Sequence, residues 1–373
     1  MSTKKLGFGL MRLPLLDKND DTSIDFEQAK KMVDMFLERG FTYFDTAWMY
    51  HGFKSEDAVK TILTQRHPRE SYTLATKLHV HYVKSIEDRD GIFNEQLRKT
   101  GAGYFDYYLL HDVNEGCYQA LNDFDCFTWL RQKKEAGLVR HIGCSSHSSP
   151  EFLEKLLTEH PELEFVQLQL NYLDWESPRV RARECYETVV RHSKKVIVME
   201  PVRGGALANV PAEAEEMFKS ARSESSVASW AIRFAAGLEG VMMVLSGMSS
   251  LEQMEDNTGF MQDFVPLSTE ETELCHKARE IVNRAKLIPC TACSYCTDGC
   301  PMGIAIPSCF AIYNGNIRED GANKQQRRDE YAELTGRSGK AGDCIACGQC
   351  EGICPQKLPV IELLKKVAKS FEE

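Results

Sequence analysis

The chain has 373 residues, of which 43% are hydrophobic and 27% are charged, values typical of a globular protein with room for two domains. A net charge of −10, from 55 acidic and 45 basic residues, argues against a nucleic-acid partner. No apolar run is long enough to cross a membrane, and Arg12 and Pro14 interrupt the apolar stretch near the N-terminus. We therefore expect a cytoplasmic protein with no signal peptide and no membrane partner.

Short apolar runs alternate with amphipathic stretches through about the first 260 residues, a pattern typical of βα units around a parallel sheet. The apolar runs predict strands near Leu6–Arg12, Thr42–Asp45, Tyr72–Lys77, Phe105–His111, His141–Ser145, Phe165–Gln169, Val196–Met199 and Val241–Leu245. Helices are predicted between them, for example over Phe26–Glu38, Glu56–Thr64 and Pro178–His192. Eight such strands favour a (β/α)8 TIM barrel, with a doubly wound sheet as the alternative. The sequence after the first strand lacks a complete Rossmann fingerprint.

Polar side chains follow three consecutive predicted strands at the ends where a barrel places its catalytic groups. Asp45 and Tyr50 follow the second strand, Lys77 ends the third and His111 ends the fourth. These residue types suit carbonyl reduction, because a phenol can donate its proton to an oxygen that becomes an alkoxide. We expect the charge of Lys77 to lower the pKa of Tyr50, Asp45 to hold the lysine, and His111 to orient the carbonyl. Taken singly, such residues are commonly surface ion pairs or packing tyrosines.

A further helix is predicted from Ser268, which together with Glu271 has the spacing of a capping box. This helix completes a first domain over residues 1–286, and a second domain covers residues 287–373. We expect the second domain to be mainly helical.

Two cysteine runs of identical spacing lie in the second domain. They are Cys290, Cys293, Cys296 and Cys300, followed by a proline, and Cys344, Cys347, Cys350 and Cys354, followed by a proline. This spacing is typical of two-cluster ferredoxins, in which the fourth cysteine of each run ligates the other cluster. It predicts one [4Fe–4S] cluster on Cys290, Cys293, Cys296 and Cys354, and a second on Cys344, Cys347, Cys350 and Cys300. Zinc thiolates and disulfides are the alternatives, although zinc sites usually show separated cysteine pairs and disulfides need an oxidising compartment.

The whole chain resembles the branch of the aldo/keto reductase family that carries a C-terminal double [4Fe–4S] ferredoxin-type domain. The resemblance rests on the four polar residues at the strand ends, on the cysteine runs, and on the segments VRHIGCSSHS, FVQLQLNYLD and VMEPVRGGAL, which occur in the family's order. It implies a nicotinamide nucleotide, NAD(P)H, bound in extended form across the barrel mouth. It also implies that the four polar residues are the catalytic set.

The resemblance further implies which residues hold the nucleotide. Ser145, Ser146 and Gln167 would hold the carboxamide, and Met199 or its neighbour Glu200 stands where an aromatic residue commonly stacks on the nicotinamide. The remaining implied contacts are Arg203 and Gly204 near the pyrophosphate, Ser246 and Gly247 after the last strand, and Asn257 on the adenine.

The last of these segments also bears on nucleotide preference. Ser249 and Glu252 resemble a capping box on a helix whose N-terminus suits a phosphate. The segment lacks the basic residues with which NADP-specific members of the family meet the 2′-phosphate, and Arg203 is a nearby candidate. The sequence therefore argues against a strong NADP preference.

The two predicted halves handle electrons differently. Nicotinamide carries two electrons as hydride, whereas a cubane passes one at a time, so their cooperation needs a mediator such as a flavin or a substrate reduced stepwise. A flavin phosphate could occupy the barrel mouth, although the sequence has no flavin-specific motif. The leading hypothesis is an oxidoreductase that reduces a small-molecule carbonyl or activated, enone-type alkene with Tyr50 as proton donor. Its clusters would relay electrons to or from ferredoxin or another carrier.

Two alternatives remain open. The first is a conventional NAD(P)H-dependent carbonyl reductase whose clusters are structural. The second is an electron-transfer or redox-sensing subunit whose barrel mainly binds a partner.

Overall fold

The structure, a computed structural model, describes residues 4–17, 20–285, 287–318 and 323–373. A closed parallel barrel forms in the order β1 to β8, with β8 pairing back to β1. The strands are β1 (Leu6–Gly9), β2 (Tyr43–Asp45), β3 (Thr73–Leu78), β4 (Phe105–Leu110), β5 (Val139–Ser146), β6 (Phe165–Gln169), β7 (Lys195–Met199) and β8 (Val241–Ser246). The predicted TIM barrel is confirmed, and the doubly wound alternative is wrong.

Helices account for most of the remaining ordered elements. They are α1 (Phe26–Glu38), α2 (Tyr50–Phe53), α3 (Ser55–Val59), α4 (Ile86–Thr100), α5 (Tyr118–Asp123), α6 (Cys126–Glu135), α7 (Pro150–Glu159), α8 (Ala182–Arg191), α9 (Ala212–Ala221), α10 (Val227–Gly237), α11 (Leu251–Gln262), α12 (Thr269–Arg284), α13 (Ile306–Arg318), α14 (Lys324–Thr335), α15 (Gln349–Gly352) and α16 (Val360–Phe371). Within the described residues, no helix has both the length and the apolar character needed to cross a membrane.

Local sequence signals explain where several helices begin. The bounds predicted for α1 are confirmed, because the side chain of Asp25 caps its first turn and its apolar face is buried. The predicted helix over Glu56–Thr64 is present as α3 followed by a π-helical turn over Lys60–Thr64. Helix α8 begins later than predicted, because residues 178–181 form a turn that ends with Arg181 at a positive φ of 53°.

Serine caps mark two later helices. Ser268 and Glu271 form the predicted capping box of α12, in which the Ser268 N–H donates to Glu271 Oε2 at 2.9 Å and Ser268 Oγ accepts from the Glu271 N–H at 3.2 Å. The capping box predicted from Ser249 and Glu252 is wrong by one residue. Helix α11 is capped by Ser250, which has the extended backbone that an N-cap requires.

The centre of the barrel is filled with side chains. The buried interior layer comprises Tyr43, Ala75, Leu109, Phe165, Ile197, Met243 and Leu245. Gly143 of β5 leaves room for the Phe165 ring, because a Cβ at this glycine would lie 2.5 Å from the Phe165 carbonyl oxygen and 2.7 Å from the ring. The barrel is therefore a packed core, and polar side chains at the strand ends stand on rigid supports.

Tertiary contacts divide the chain into two compact units. The first comprises Met1–Pro201 and Ile232–Leu267 and contains all of the barrel strands. The second comprises Val202–Ala231 and Ser268–Glu373, so the segment that follows β7 joins the C-terminal region. The domain boundary predicted at residue 286 falls on a position outside the described residues, and it stays a prediction.

The second unit has its own core. Helices α13, α14 and α16 contribute buried apolar side chains, among them Phe310, Leu334, Leu364 and Val367. Five of the eight run cysteines pack against this core as partly buried residues, and Cys350 is buried within it. The prediction of a mainly helical C-terminal domain is confirmed.

Candidate active site and cluster ligands

A buried ion pair lies at the carboxyl ends of β2 and β3. Lys77 Nζ lies 2.5 Å from Asp45 Oδ1 and donates to the Thr46 carbonyl at 2.7 Å, and both side chains are almost fully buried. Burial raises the pKa of Asp45 and lowers the pKa of Lys77, while the attraction between the two groups opposes both shifts. The pair therefore fixes an ammonium group at the end of the barrel.

Tyr50 lies beside this ion pair at the start of α2. Lys77 Nζ is 5.1 Å from the centroid of the Tyr50 ring, and the ring lies 6.0 Å from the imidazole of His111. Burial raises the pKa of Tyr50 well above its ordinary value, and the charges of Asp45 and Glu200 raise it further. The lowering expected from Lys77 is not found, because burial of the phenol outweighs the effect of a nearby cation. The phenol is therefore protonated near neutral pH, as a proton donor must be.

His111 follows β4 and completes the group. Burial lowers the pKa of His111 well below its ordinary value, and the neighbouring charges of Lys77, His79 and His147 act in the same direction. The imidazole is therefore neutral near pH 7. Its Nδ1 is buried and finds no hydrogen-bond partner among the described residues. A buried ring nitrogen without a partner is what a ligand site leaves when its ligand is not bound.

A hydrogen-bond network that sequence reasoning missed supports Lys77. Glu56 Oε1 accepts from Thr76 Oγ1 and from Gln96 Nε2, each at 2.7 Å, and the same Gln96 nitrogen lies 3.0 Å from the Lys77 carbonyl. Tyr108 donates to Gln96 Oε1 at 2.6 Å. Burial raises the pKa of Glu56 to about 7. No pattern in the sequence indicates this buried carboxyl group, because Glu56 lies in a charged stretch typical of a solvent-facing helix.

The residues predicted to hold a nicotinamide carboxamide lie on β5, β6 and β7, with Gln167 in the middle of β6. Gln167 Oε1 is buried without a hydrogen-bond partner in the described part of the chain, and Gln167 Nε2 lies 3.7 Å from the Met199 sulfur. Ser145 Oγ accepts from the Asp112 N–H at 2.9 Å, whereas Ser146 Oγ donates to a carbonyl of the same loop at 2.7 Å. Gln167 thus presents an acceptor that suits an amide ligand, whereas the hydroxyl group of Ser146 already donates its proton to the protein backbone.

The residues predicted at the end of β8 also lie together. Asn257 Nδ2 donates to Ser246 Oγ at 3.0 Å in a buried contact between α11 and β8. A Cβ on Gly247 would lie 3.1 Å from Arg12 Cδ, so the stem of Arg12 packs on this loop. Sequence reasoning missed Arg12 as a basic residue at this place. The closed barrel could have revealed it, because β1 pairs with β8 and the residues that follow the two strands are neighbours.

Arg203 and Gly204 belong to the second unit, and the other predicted nucleotide-binding residues belong to the first. Arg203 Nη2 donates to Gln356 Oε1 at 3.2 Å, and both residues are buried. A Cβ on Gly204 would lie 2.2 Å from the Thr291 carbonyl oxygen. The structure therefore brings these two residues to the segments that carry the cysteine runs. Their predicted contact with a phosphate stays a prediction.

Four cysteines line one cavity of the second unit, which has about 330 Å³ of empty space, part of it open to solvent. The four are Cys344, Cys347 and Cys350 of the second run and Cys300 of the first. The spacing of the runs predicts this same combination for one cubane. Most of the other lining residues are apolar, including Met302, Ile304 and Leu364.

The other four cysteines are also neighbours. Burial and the nearby thiols of Cys293, Cys290 and Cys354 raise the pKa of Cys296 to about 12. Three cysteines of the first run thus lie near the last cysteine of the second run. Among the described residues, no three His, Cys or acidic side chains lie close enough together to hold a single metal ion. A cubane takes one thiolate at each iron, so thiols that surround a space are the donor set it requires.

Two family models match the chain, one for each half. Residues 5–280 match the model of the aldo/keto reductase family, and residues 289–358 match that of a 4Fe-4S dicluster domain. The first range includes all of the barrel strands, and the second includes both cysteine runs.

Solved structures of aldo-keto reductases share the barrel fold. The holo form of one from Bacillus halodurans is 24% identical with a TM-score of 0.59, and the match covers 74% of this chain and 91% of that one. One from Klebsiella pneumoniae, in complex with NADP and acetate, is 19% identical with a TM-score of 0.59, over 73% and 90% of the two chains. At these identities the likeness shows the fold alone.

A curated relative matches over a shorter stretch. The NAD/NADP-dependent indole-3-acetaldehyde reductase of Schizosaccharomyces pombe (strain 972 / ATCC 24843) is 29% identical over 122 residues, which is 33% of this chain and 41% of that relative. The chain thus matches less than half the length of this relative. The family model over residues 5–280 covers most of the chain, and the protein therefore belongs to the aldo/keto reductase family of oxidoreductases and carries a 4Fe-4S dicluster domain.

Proposed function

We propose that the protein reduces a carbonyl or an activated alkene of a small molecule in the barrel, with Tyr50 as the proton donor. We also propose that two [4Fe–4S] clusters relay electrons between the barrel and an external carrier such as ferredoxin. The observation that supports the barrel chemistry most is the buried Lys77–Asp45 ion pair beside a protonated Tyr50. The reduction takes two electrons: a bound nicotinamide would supply both as one hydride, whereas two bound clusters would supply them one at a time.

Tyr50 acts on the oxygen of the substrate in this proposal. As the carbonyl carbon is reduced, negative charge develops on the oxygen, and the phenol donates its proton there. The phenolate left behind is stabilised by the Lys77 ammonium group, which Asp45 holds in place. Since Tyr50 is buried and its pKa is raised, it carries its proton across the whole neutral pH range.

His111 positions the same oxygen. Because its imidazole is neutral, it carries one ring N–H, which can donate a hydrogen bond to the substrate oxygen without first losing a proton. The contact would stabilise the negative charge that develops on the oxygen in the transition state. A hydrogen-bond donor fixed at that place lowers the barrier of the reaction.

Residues on β6 and β7 support a nicotinamide site. The buried Gln167 acceptor suits the N–H groups of a carboxamide, and Met199 offers a polarisable surface where a flat ring could lie. Arg12, beside Gly247, is the basic side chain next to the loop after β8 that could meet a phosphate. The NADP named for the Klebsiella protein and the NAD/NADP dependence named for the yeast relative agree with this proposal.

A second candidate is a conventional NAD(P)H-dependent carbonyl reductase with structural clusters. The buried Gln167 acceptor favours it, because it suits a nicotinamide. A nicotinamide can reduce the substrate without any electron from the second unit. The two candidates differ in one measurable way. Only the electron-relay proposal requires turnover to depend on the redox state of the clusters.

Substitution of Tyr50 by Phe tests the proton-donor role. We expect Tyr50→Phe to lower kcat/KM for a panel of aldehydes and enones by about 10²- to 10⁴-fold, the usual contribution of a positioned general acid. Tyr186→Phe is the matched control, because its hydroxyl donates to the Glu239 carbonyl at the surface. Activity would be measured anaerobically with NADH, NADPH and a reduced ferredoxin. Equal activity of the two variants would refute the role assigned to Tyr50.

A further inference from the structure

The segment that follows β7 in the chain contacts both cysteine-bearing segments of the second unit. It comprises Val202, Arg203, Gly204 and Gly205, and we call it the β7 clasp. The barrel chemistry proposed above gives this clasp no role in electron transfer.

The first contact is between Gly204 and the loop of the first cysteine run. Gly204 has a φ of 63°, and a Cβ built on it would lie 2.2 Å from the Thr291 carbonyl oxygen. Only glycine tolerates both this backbone conformation and this approach. Thr291 stands between Cys290 and Cys293 in the sequence. The clasp therefore lies directly against the backbone that holds these two cysteines.

The second contact is between Arg203 and the end of the second run. Its guanidinium donates from Nη2 to Gln356 Oε1 at 3.2 Å, and only 5% of Arg203 and 2% of Gln356 are exposed. Gln356 follows Cys354 by two residues. Arg203 is a non-glycine residue with a φ of 49°, an uncommon conformation that the surrounding packing must hold.

These two contacts join the pieces of chain that provide one predicted cluster site. Thr291 belongs to the loop of Cys290 and Cys293, and Gln356 belongs to the turn after Cys354. We infer that the β7 clasp is part of the binding site of the cluster held by Cys290, Cys293, Cys296 and Cys354, and that the buried charge of Arg203 raises the reduction potential of this cluster. The inference rests on the proposed cluster binding, but it requires no particular barrel chemistry.

Electrostatics gives the direction of the effect. A cluster gains one negative charge when it is reduced, so a nearby buried cation stabilises the reduced form. A guanidinium keeps its charge at all relevant pH values, and burial limits screening by salt. The cluster on Cys344, Cys347, Cys350 and Cys300 has a different basic neighbour. Lys365 is within electrostatic range of Cys344, but its side chain is 67% exposed. Solvent would weaken its effect.

The test is an anaerobic redox titration of the reconstituted full-length protein, followed by electron paramagnetic resonance. For Arg203→Met we expect the midpoint potential of one cluster to fall by about 59 mV, which corresponds to a tenfold lower ratio of reduced to oxidised cluster. The other cluster should keep its potential. Arg203→Lys retains the charge, so its midpoint potential should stay close to that of the native protein. The signal that changes in Cys293→Ser identifies the affected cluster, and Lys365→Met is the exposed-charge control.

Several outcomes would overturn the inference. They are an unchanged potential in Arg203→Met, an equal shift in both clusters, and a shift confined to the cluster that Cys293→Ser leaves unaffected. If Arg203→Met fails to retain iron, Gln356→Glu places a negative charge beside the intact arginine. It should lower the potential of the same cluster, and no shift there would also overturn the inference. Because the titration uses no substrate, its failure is distinguishable from a failure of the proposed reduction in the barrel.

Discussion

The polar residues at the barrel mouth and the cysteines of the two runs achieve their geometry in different ways. We call the first set, Asp45, Tyr50, Lys77 and His111, the barrel group. Asp45 and Lys77 stand on adjacent strands, are almost fully buried, and hold each other by an ion pair between their own side chains. The run cysteines lie on loops, apart from Cys350 in the short helix α15, and their exposure ranges from buried Cys350 to exposed Cys347. A cluster must therefore complete the cysteine sites, whereas the barrel group is organised in advance. The comparison predicts that substitutions in the barrel group act mainly on folding and catalysis, and that substitutions near the cysteines act mainly on the clusters.

The largest effect on stability is expected from Lys77→Met. Removal of the ammonium group leaves the Asp45 carboxylate buried without its partner, which typically destabilises a protein by about 3 to 5 kcal/mol. Lys365→Met is the control, because its pair with Glu362 is exposed to solvent and should contribute little to stability. Anaerobic denaturation by urea compares the two free energies of unfolding. Equal losses would show that the barrel group is not held by its buried charges.

A pH-dependent effect is expected from Glu56. Its pKa in the folded protein is about 7, against 4.5 as the ordinary value, so the folded state holds the proton more tightly than the unfolded state. Stability should therefore fall as the pH rises from about 4.5 to 7, and the loss is roughly 3 kcal/mol at most. Glu56→Gln removes this loss, because its amide has no proton to release in this range.

The measurement compares the free energies of unfolding of the native protein and Glu56→Gln at pH 5 and at pH 8. The difference between the two proteins should grow in favour of the variant at the higher pH. If the difference between the two proteins does not change with pH, the raised pKa of the buried Glu56 carboxyl group is contradicted.

A smaller effect is expected from Gly143→Ala in the interior layer of the barrel. The added Cβ would lie 2.5 Å from the Phe165 carbonyl oxygen, so β5 and β6 must shift, at a cost of about 1 to 3 kcal/mol. Gly259→Ala is a matched control within α11. No atom lies within 4 Å of the new Cβ, and alanine should stabilise the helix by up to about 1 kcal/mol. Thermal denaturation distinguishes these opposite signs, and stabilisation by both substitutions would contradict the packed interior.

Sequence reasoning predicted the barrel because each strand is a short apolar run with a distinct end. The same ends predicted where Asp45, Tyr50, Lys77 and His111 would meet, since parallel strands in a barrel place their carboxyl ends on one face. The cysteine spacing predicted which thiols are neighbours. In this motif the fourth cysteine of each run ligates the cluster that is held by the first three cysteines of the other run.

Other features depend on contacts that no local pattern encodes. Glu56 is buried because Thr76 and Gln96 meet it from other elements, although its own segment reads as exposed. Arg203 follows β7, where the family resemblance suggests a phosphate contact, but the structure brings it to Gln356, which lies 153 positions away in the sequence. The expected lowering of the Tyr50 pKa is also not found, because burial and the negative charges of Asp45 and Glu200 outweigh proximity to a cation.

The most direct test of the account is an anaerobic titration of the reconstituted protein with NADH and, separately, with NADPH. Electron paramagnetic resonance would follow the clusters, and mass spectrometry would detect a bound flavin. Because a hydride carries two electrons and a cluster accepts one, the account predicts that the protein holds a mediator such as a flavin and that at least one nucleotide reduces the clusters through it. This result would show that the barrel and the cluster domain exchange electrons. Clusters that dithionite reduces but that neither nucleotide reduces would contradict the proposed relay from a nicotinamide in the barrel.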